Sequence, residues 1–297
     1  MRRRTVEWQV CGVCNYDCSY CIQSKKARVG HPSDDEVERF LTFFAGLPAG
    51  WEIKMTGGEP FAFKGFMGRI VPGLIERTSH TLSTLTNLSA PLGVIERFAS
   101  LTRGRLGIVS ASLHLEFSTV ERFLEKALRL RELIDPGARL VVNAVAVPGK
   151  LDEVERARER IQAAGLTFFP QWLKIKGGVH AYVEDDKPRL LRIFGSAPTP
   201  REANVAPSYR GRACWAGADY FVLMQNGEGY RCRTAKRFSE GYLGNVLDGT
   251  LVLRNGPERC TYDICPCTVP ANRGMIEGAF EAREGPPSQA SAEEVLR

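Results

Sequence analysis

The stretch Thr5-Val6-Glu7-Trp8-Gln9-Val10-Cys11-Gly12-Val13-Cys14-Asn15-Tyr16-Asp17-Cys18-Ser19-Tyr20-Cys21 sets the terms for the rest of the chain. Its first part, Thr5–Val10, is an apolar and β-branched run of strand length. Its second part holds three cysteines in a loop of the form C-x3-C-x2-C, Cys14, Cys18 and Cys21. Three thiolates this close can ligate three irons of one cubane and leave the fourth iron without a protein ligand. The spacing also allows a zinc knuckle, with Cys11 or His31 as fourth ligand. Cys11 itself, at the end of the strand, reads as a buried structural thiol.

Five further strand candidates follow, at Glu52–Met55, Thr81–Leu85, Leu106–Ser112, Leu140–Val147 and Thr167–Lys174, each bounded by Gly, Pro or polar clusters. Helices lie between them. Ser33-Asp34-Asp35-Glu36 and Ser118-Thr119-Val120-Glu121 have capping-box spacing ahead of amphipathic runs. Leu151–Ala164 carries apolar positions at helical spacing. Six strand-then-helix units imply an α/β fold with parallel strands and right-handed crossovers. Six are too few for a closed eight-stranded barrel, so the expectation is an open, partial (β/α)6 barrel over residues 1–176. In such sheets reactive groups collect at the C-terminal ends of the strands, which places the cysteine loop at that mouth.

The pattern changes beyond Lys176. Residues 177–213 read as a bridging region with one short helix, about Pro188 to Phe194. Tyr220–Met224 and Tyr230-Arg231-Cys232 then flank Gln225-Asn226-Gly227-Glu228-Gly229, a hairpin signal. A small β-hairpin-containing, cysteine-bearing module over 214–283 and a polar tail over 284–297 complete the expected organisation.

Composition narrows the classes. The chain has 297 residues, 43% hydrophobic and 25% charged, as in ordinary globular proteins. No run of eighteen apolar residues is present to span a membrane. No signal-peptide core follows Met1-Arg2-Arg3-Arg4, and a cytoplasmic location is expected. A net charge of +6 with scattered arginines argues against a nucleic-acid partner. The nine cysteines fall into two groups: Cys11, Cys14, Cys18 and Cys21, then Cys214, Cys232, Cys260, Cys265 and Cys267. An odd number without a secretory signal is a poor disulfide framework, and two segregated groups read as two metal centres.

The octet Cys14–Cys21 resembles the radical S-adenosylmethionine (SAM) signature, C-x3-C-x-aromatic-C, with Tyr20 as the aromatic residue. Thr56-Gly57-Gly58-Glu59-Pro60, after the second strand, is similar to the GGEP motif of the same family. The resemblance implies a 4Fe-4S cluster on Cys14, Cys18 and Cys21 whose open iron is chelated by SAM. It implies reductive SAM cleavage to a 5′-deoxyadenosyl radical that takes a hydrogen atom from carbon. It also implies backbone contacts from Gly57, Gly58, Glu59 and Pro60 to the methionine part, with Tyr20 near the adenine. Thr86 and Asn87 after strand three, and Ser110, Ser112 and His114 around strand four, are further SAM-contact candidates, though ordinary polar residues closing strands would look the same.

The second group resembles the opening of the SPASM and twitch modules, C-x(9–15)-G-x4-C, through Cys214, Gly227 and Cys232. These modules bind auxiliary 4Fe-4S clusters. Only five cysteines remain here where a full SPASM domain uses seven, so one auxiliary cluster is implied, with Cys214, Cys232, Cys265 and Cys267 as ligands. The twitch pair is more often C-x2-C than the Cys265-Pro266-Cys267 found here, which leaves Cys260 able to displace either. A zinc ribbon is the structural alternative.

The expected function is therefore a radical SAM oxidoreductase with two 4Fe-4S clusters, fed by an electron donor such as flavodoxin or ferredoxin. Twitch-bearing relatives include an aminocyclitol dehydrogenase of aminoglycoside biosynthesis, and SPASM relatives include peptide maturases. Oxidation of a sugar- or aminocyclitol-type small molecule is the leading expectation, because no leader-binding domain precedes the first strand. Epimerisation is the redox-neutral variant, with Cys260 as the candidate hydrogen-atom donor. The alternative is a maturase that oxidises, cross-links or epimerises residues of a ribosomal precursor peptide. A non-catalytic metal scaffold would show no dependence on SAM, and the GGEP turn argues against it.

Overall fold

The computed structural model describes residues 2–23, 30–175, 178–195, 208–263, 265 and 268–279. The expected ligand Cys267 and the expected tail 284–297 lie outside them, as does part of the bridging region. Six strands come first: β1 (Thr5–Cys11), β2 (Glu52–Gly57), β3 (Thr81–Thr86), β4 (Leu106–Ser112), β5 (Arg139–Ala146) and β6 (Thr167–Trp172). Between them run α1 (Asp34–Gly46), α2 (Val71–Arg77), α3 (Leu92–Leu101), α4 (Val120–Leu133) and α5 (Leu151–Ala163). Then follow β7 (Lys174–Ile175), β8 (Gly178–Val179), α6 (Lys187–Phe194), β9 (Ala213–Cys214), β10 (Tyr220–Leu223) and β11 (Glu228–Tyr230). The described chain ends with α7 (Arg233–Arg237), β12 (Tyr242–Asn245), β13 (Glu258–Arg259) and α8 (Thr268–Asn272).

β1 to β6 are parallel neighbours in chain order, and the sheet is open, ending at β6 on one side. On the other side β10 pairs parallel to β1, and β11 and β12 extend it antiparallel, so nine strands form one sheet. Each strand predicted for the first half is present within a residue or two. The sixth stops at Trp172, because the Tyr182 hydroxyl accepts from the Leu173 N–H at 2.9 Å and ends the ladder.

β1 is buried on both faces, as a central strand should be. Val6, Trp8 and Val10 face the helices, where Trp8 packs 4.9 Å from Phe40 and 5.0 Å from Phe44 of α1. Burial of such side chains contributes about 2–3 kcal/mol each. The helix starts as expected: the Ser33 hydroxyl accepts from the Glu36 N–H and the Glu36 carboxylate accepts from the Ser33 N–H. In α4 the cap is one residue later than the spacing suggests. Thr119 caps it by accepting from the Arg122 N–H, while the Ser118 hydroxyl turns to the Thr119 carbonyl. α3 has no capping side chain at all, with Pro91 at its cap position.

The face opposite the helices carries Thr5, Glu7 and Gln9 of β1. Register places Lys54 beside Glu7, Ser110 beside Leu85, and Ser112 beside Asn143 on that inner face. It is polar and partly open: Lys54, Ser110, Ser112 and Gln171 are half-buried, and the Gln171 amide donates to Asn143 Oδ1 at 3.3 Å.

Candidate active site

The cysteine loop leaves the C-terminal end of β1, next to the turn that leaves β2. Gly57, at φ 150°, and Gly58 make that adjacency possible. A Cβ on Gly57 would stand 2.3 Å from the Cys11 carbonyl oxygen, and one on Gly58 would stand 2.0 Å from that of Val13. The Gly58 and Glu59 N–H groups donate to the Cys11 and Val13 carbonyls at 2.9 and 2.8 Å. From the far end of the loop, the Gln23 amide donates to the Gly57 carbonyl at 2.9 Å. Backbone thus meets backbone where any side chain would keep the two segments apart.

Glu59 is buried and ties in the third strand. Its carboxylate accepts from the Thr86 hydroxyl at 2.8 Å, the Asn87 N–H at 2.7 Å and the Phe61 N–H at 3.1 Å, where Pro60 opens a short 3-10 turn. Burial pushes its pKa up to about 7 against these three donors. The Asn87 amide in turn donates to Asn15 Oδ1 at 3.0 Å, back in the cysteine loop. Thr86 and Asn87 therefore hold Glu59 and the cysteine loop together. Lys126 gathers the Leu88, Ser89 and Ala90 carbonyls just beyond, where Leu88 adopts φ 53°.

The loop after β4 supports the cysteines from the other side. His114 Nδ1 lies 2.9 Å from the Tyr20 hydroxyl and 3.4 Å from Cys18 Sγ. Burial lowers the His114 pKa to about 4, so its imidazole is neutral, and burial raises the Tyr20 phenol above its ordinary value. The Ser19 N–H donates to Glu116 at 2.9 Å. The Tyr20 ring lies against His114 and borders a crevice lined by Leu113, Ala144, Val145 and Val147. Cys11 is fully buried, with its thiol toward the Val13 and Glu59 carbonyls and its pKa pushed up to about 12 by burial. His31 stacks on Phe63, and among the described residues no three His, Cys, Asp or Glu side chains are gathered for one metal ion. Cys14, Cys18 and Cys21 offer thiols alone on a loop beside a side-chain-free backbone cradle, the donor chemistry that a cubane with one open iron takes, though the three side chains are not gathered to one point.

A second thiol group sits in a separate small core. Cys214, Cys232, Cys260 and Cys265 are all buried there, with Tyr209, Tyr220, Val222, Met224 and Met275 around them. Pairing of β9 with β13 sets Cys214 opposite Glu258, two residues before Cys260. The Ala235 N–H donates to Cys232 Sγ at 3.3 Å. Because Tyr220 and Val222 lie beside Thr5 and Glu7 in the sheet, this core faces the inner, polar side. Thiols alone are the donor chemistry of iron–sulfur clusters and of zinc, though no three of these described side chains are gathered for one metal ion.

Neither a family model nor a curated protein sequence matches the chain. Solved structures do. anSMEcpe with bound AdoMet and Cp18Cys peptide superposes with a TM-score of 0.60 at 15% identity, over 94% of this chain and 84% of that one. Streptococcus suis SuiB bound to S-adenosylmethionine gives 0.57 at 13% identity, over 83% of this chain and 64% of SuiB. The fold is that of the radical SAM enzymes. In that fold the three strand ends of β1, β2 and β3 bring together Cys14–Cys21, Gly57–Pro60, Thr86 and Asn87. Ser110 and Ser112 stand on the inner face of β4, apart from that hydrogen-bond network. Cys260 shares the second core with Cys214, Cys232 and Cys265. The ties that sequence alone did not single out are Glu116 to Ser19, Lys126 to the 88–90 carbonyls, and Arg233 to Glu7. All join positions far apart in the chain, and no local spacing signals them.

Proposed function

We propose that this chain is a radical SAM enzyme that oxidises a small polar substrate of the sugar or aminocyclitol type. The observation that carries the reading is the contact of Gly58 with Val13. It presses the GGEP turn onto the three-thiol loop at the C-terminal ends of two neighbouring parallel strands. Cys14, Cys18 and Cys21 would hold the 4Fe-4S cluster, and the Gly57–Pro60 backbone the methionine part of SAM. When bound, the cluster and SAM supply a 5′-deoxyadenosyl radical that removes a carbon-bound hydrogen, chemistry the protein positions and shields.

The chain's own residues do the rest. Tyr20, which borders a narrow crevice with Leu113 and Val147, would pack near the adenine. Lys54, Ser110, Ser112, Asn143 and Gln171 offer hydroxyls, amides and one ammonium on the inner face, a surface suited to a substrate rich in hydroxyl groups. Cys214, Cys232 and Cys265, with Cys267 or Cys260 as fourth, would hold an auxiliary cluster that takes the electron released when the substrate radical is oxidised. If Cys267 ligates, Cys260 is left as the hydrogen-atom donor of an epimerase. A flavodoxin or ferredoxin would reduce the first cluster. The second reading, a peptide maturase, is supported by the peptide bound to anSMEcpe. Among the described residues no helix is long and apolar enough to cross a membrane.

Anaerobic reconstitution with iron and sulfide, followed by SAM and dithionite, tests the proposal. About eight irons per chain with release of 5′-deoxyadenosine supports both clusters. About four with turnover intact removes the auxiliary cluster, and zinc without SAM cleavage removes the enzyme. The substrate class is then read from which panel, cyclitols and sugars or peptides, speeds 5′-deoxyadenosine release.

A further inference from the structure

Lys54 stands on the inner face of β2, beside Glu7 of β1 and Ser83 of β3. Its side chain is 14% exposed, so the ammonium has given up most of its water. A charge placed in this way needs an opposite charge to meet it.

The carboxylates within reach are already matched. Glu52, two residues earlier on the same face, accepts two hydrogen bonds from Arg273 at 2.7 and 2.8 Å. Glu7 pairs with Arg233 at 3.2 Å and accepts from the Tyr220 hydroxyl, while Lys54 Nζ stands farther off at 3.5 Å. Among the described residues, this patch sets three cations, Lys54, Arg233 and Arg273, against two carboxylates, Glu7 and Glu52. The surplus is one positive charge, and Lys54 has the weakest match of the three.

The position of this charge suits a substrate. Strand residues rise about 3.3 Å each, so Lys54 lies about 10 Å below Gly57 and the turn that would hold SAM. Ser110, Ser112 and Gln171, all half-buried, line the same face. A group anchored at Lys54 would leave the ring that carries it between the anchor and the turn.

We propose that Lys54 anchors a carboxylate of the substrate, which makes that substrate an acidic sugar rather than an amine-bearing cyclitol. The proposal rests on the small-polar-substrate reading given above. One carboxylate balances one surplus charge. A dianionic phosphate monoester would leave negative charge in excess beside Glu7 and Glu52, and a protonated amine would meet Lys54 as a like charge. Lys54 binds and orients, and no bond is made or broken at it.

The test uses isotopically labelled acetate and methylammonium as probes of the reconstituted, dithionite-reduced chain. The readout is broadening of each carbon resonance by the paramagnetic clusters, which falls steeply with distance and so separates the inner face from surface charges. Acetate should broaden and methylammonium should not. Lys54→Met with full iron should weaken acetate binding by about tenfold or more, and Lys54→Arg should keep most of it. A loaded wild-type chain that broadens neither probe, or both alike, overturns the proposal, as does an unchanged acetate titration in Lys54→Met. If Lys54→Met fails to load iron, Lys54→Gln, which keeps a donor toward Glu7 without the charge, is judged by the same criteria. Failure of both to load overturns the proposal in favour of packing. The underlying reading fails by a different result: if only peptides speed 5′-deoxyadenosine release in the wild type, the small-substrate reading falls and the proposal with it, whatever acetate does.

Discussion

Glu7 on β1 and Arg233, the residue after Cys232, meet at 3.2 Å across 226 positions of sequence. Lys54 Nζ lies 3.5 Å from the other Glu7 oxygen, and the Tyr220 hydroxyl donates to the same carboxylate. This cluster pins the second thiol core to the strand that carries the first cysteine loop. It also supplies the floor of the inner face.

Burial pushes the Glu7 carboxyl up, and Arg233, Lys54 and Tyr220 more than reverse it, holding its pKa at about 2. A depressed folded pKa stabilises the protein above the unfolded value and ceases to do so as pH falls from about 4.5 to about 2. Glu7→Gln should cost about 3 kcal/mol at pH 7, since it leaves buried cations unpaired. Urea denaturation should show the gap from wild type narrowing as pH falls through that window.

Arg273 makes two hydrogen bonds to the buried Glu52 carboxylate, at 2.7 and 2.8 Å, and ties the end of α8 to β2. Burial raises the Glu52 carboxyl, and the Arg273 bonds bring it below its ordinary value. Arg273→Met should lose about 3–5 kcal/mol by leaving that carboxylate unpaired. Adding Glu52→Gln should restore part of the loss, measured as a double-mutant cycle.

Glu59 titrates in a different window. Its folded pKa lies above the unfolded value, so the folded state binds the extra proton between about pH 4.5 and 7. Stability should fall as pH rises through that range and level off above it. Glu59→Gln should flatten the slope, while losing about 1–3 kcal/mol because its amide nitrogen cannot accept from the Asn87 N–H. Thermal melts from pH 4 to 8 check both effects.

Gly58→Ala should separate the two motifs. Its Cβ has no room against the Val13 carbonyl, and backbone on both sides must shift. The expected result is loss of SAM cleavage by about a hundredfold or more, as a displacement of about 1 Å can cost. Unchanged 5′-deoxyadenosine release would show that the cradle is not used.

Cysteine replacements should divide the iron. Cys18→Ala should remove one cluster together with all SAM cleavage. Cys214→Ala should remove the other and leave uncoupled 5′-deoxyadenosine release in place. Iron analysis and product release on the same samples check the division.

Much of this was legible in residue order because it is local. Apolar runs bounded by turn residues marked β1 to β6, and Ser33 with Glu36 marked the start of α1. α3 escaped because Pro91 provides no capping side chain, and the choice of Thr119 over Ser118 was settled by which hydroxyl the turn leaves facing the helix. The thiol spacing Cys14–Cys18–Cys21 and the Gly57-Gly58-Glu59-Pro60 run were equally plain.

By itself, then, the sequence determined the first six strands and their parallel order, the starts of α1 and α5, and the mouth where the first thiols and the GGEP turn emerge. Short-range propensity and spacing carry that information. Only the tertiary structure decided that β10 joins β1 as its parallel neighbour, which brings a core holding four distant cysteines to the inner face beside Glu7. That choice depends on burying charged and polar side chains from opposite ends of the chain against one another, and no local pattern records it.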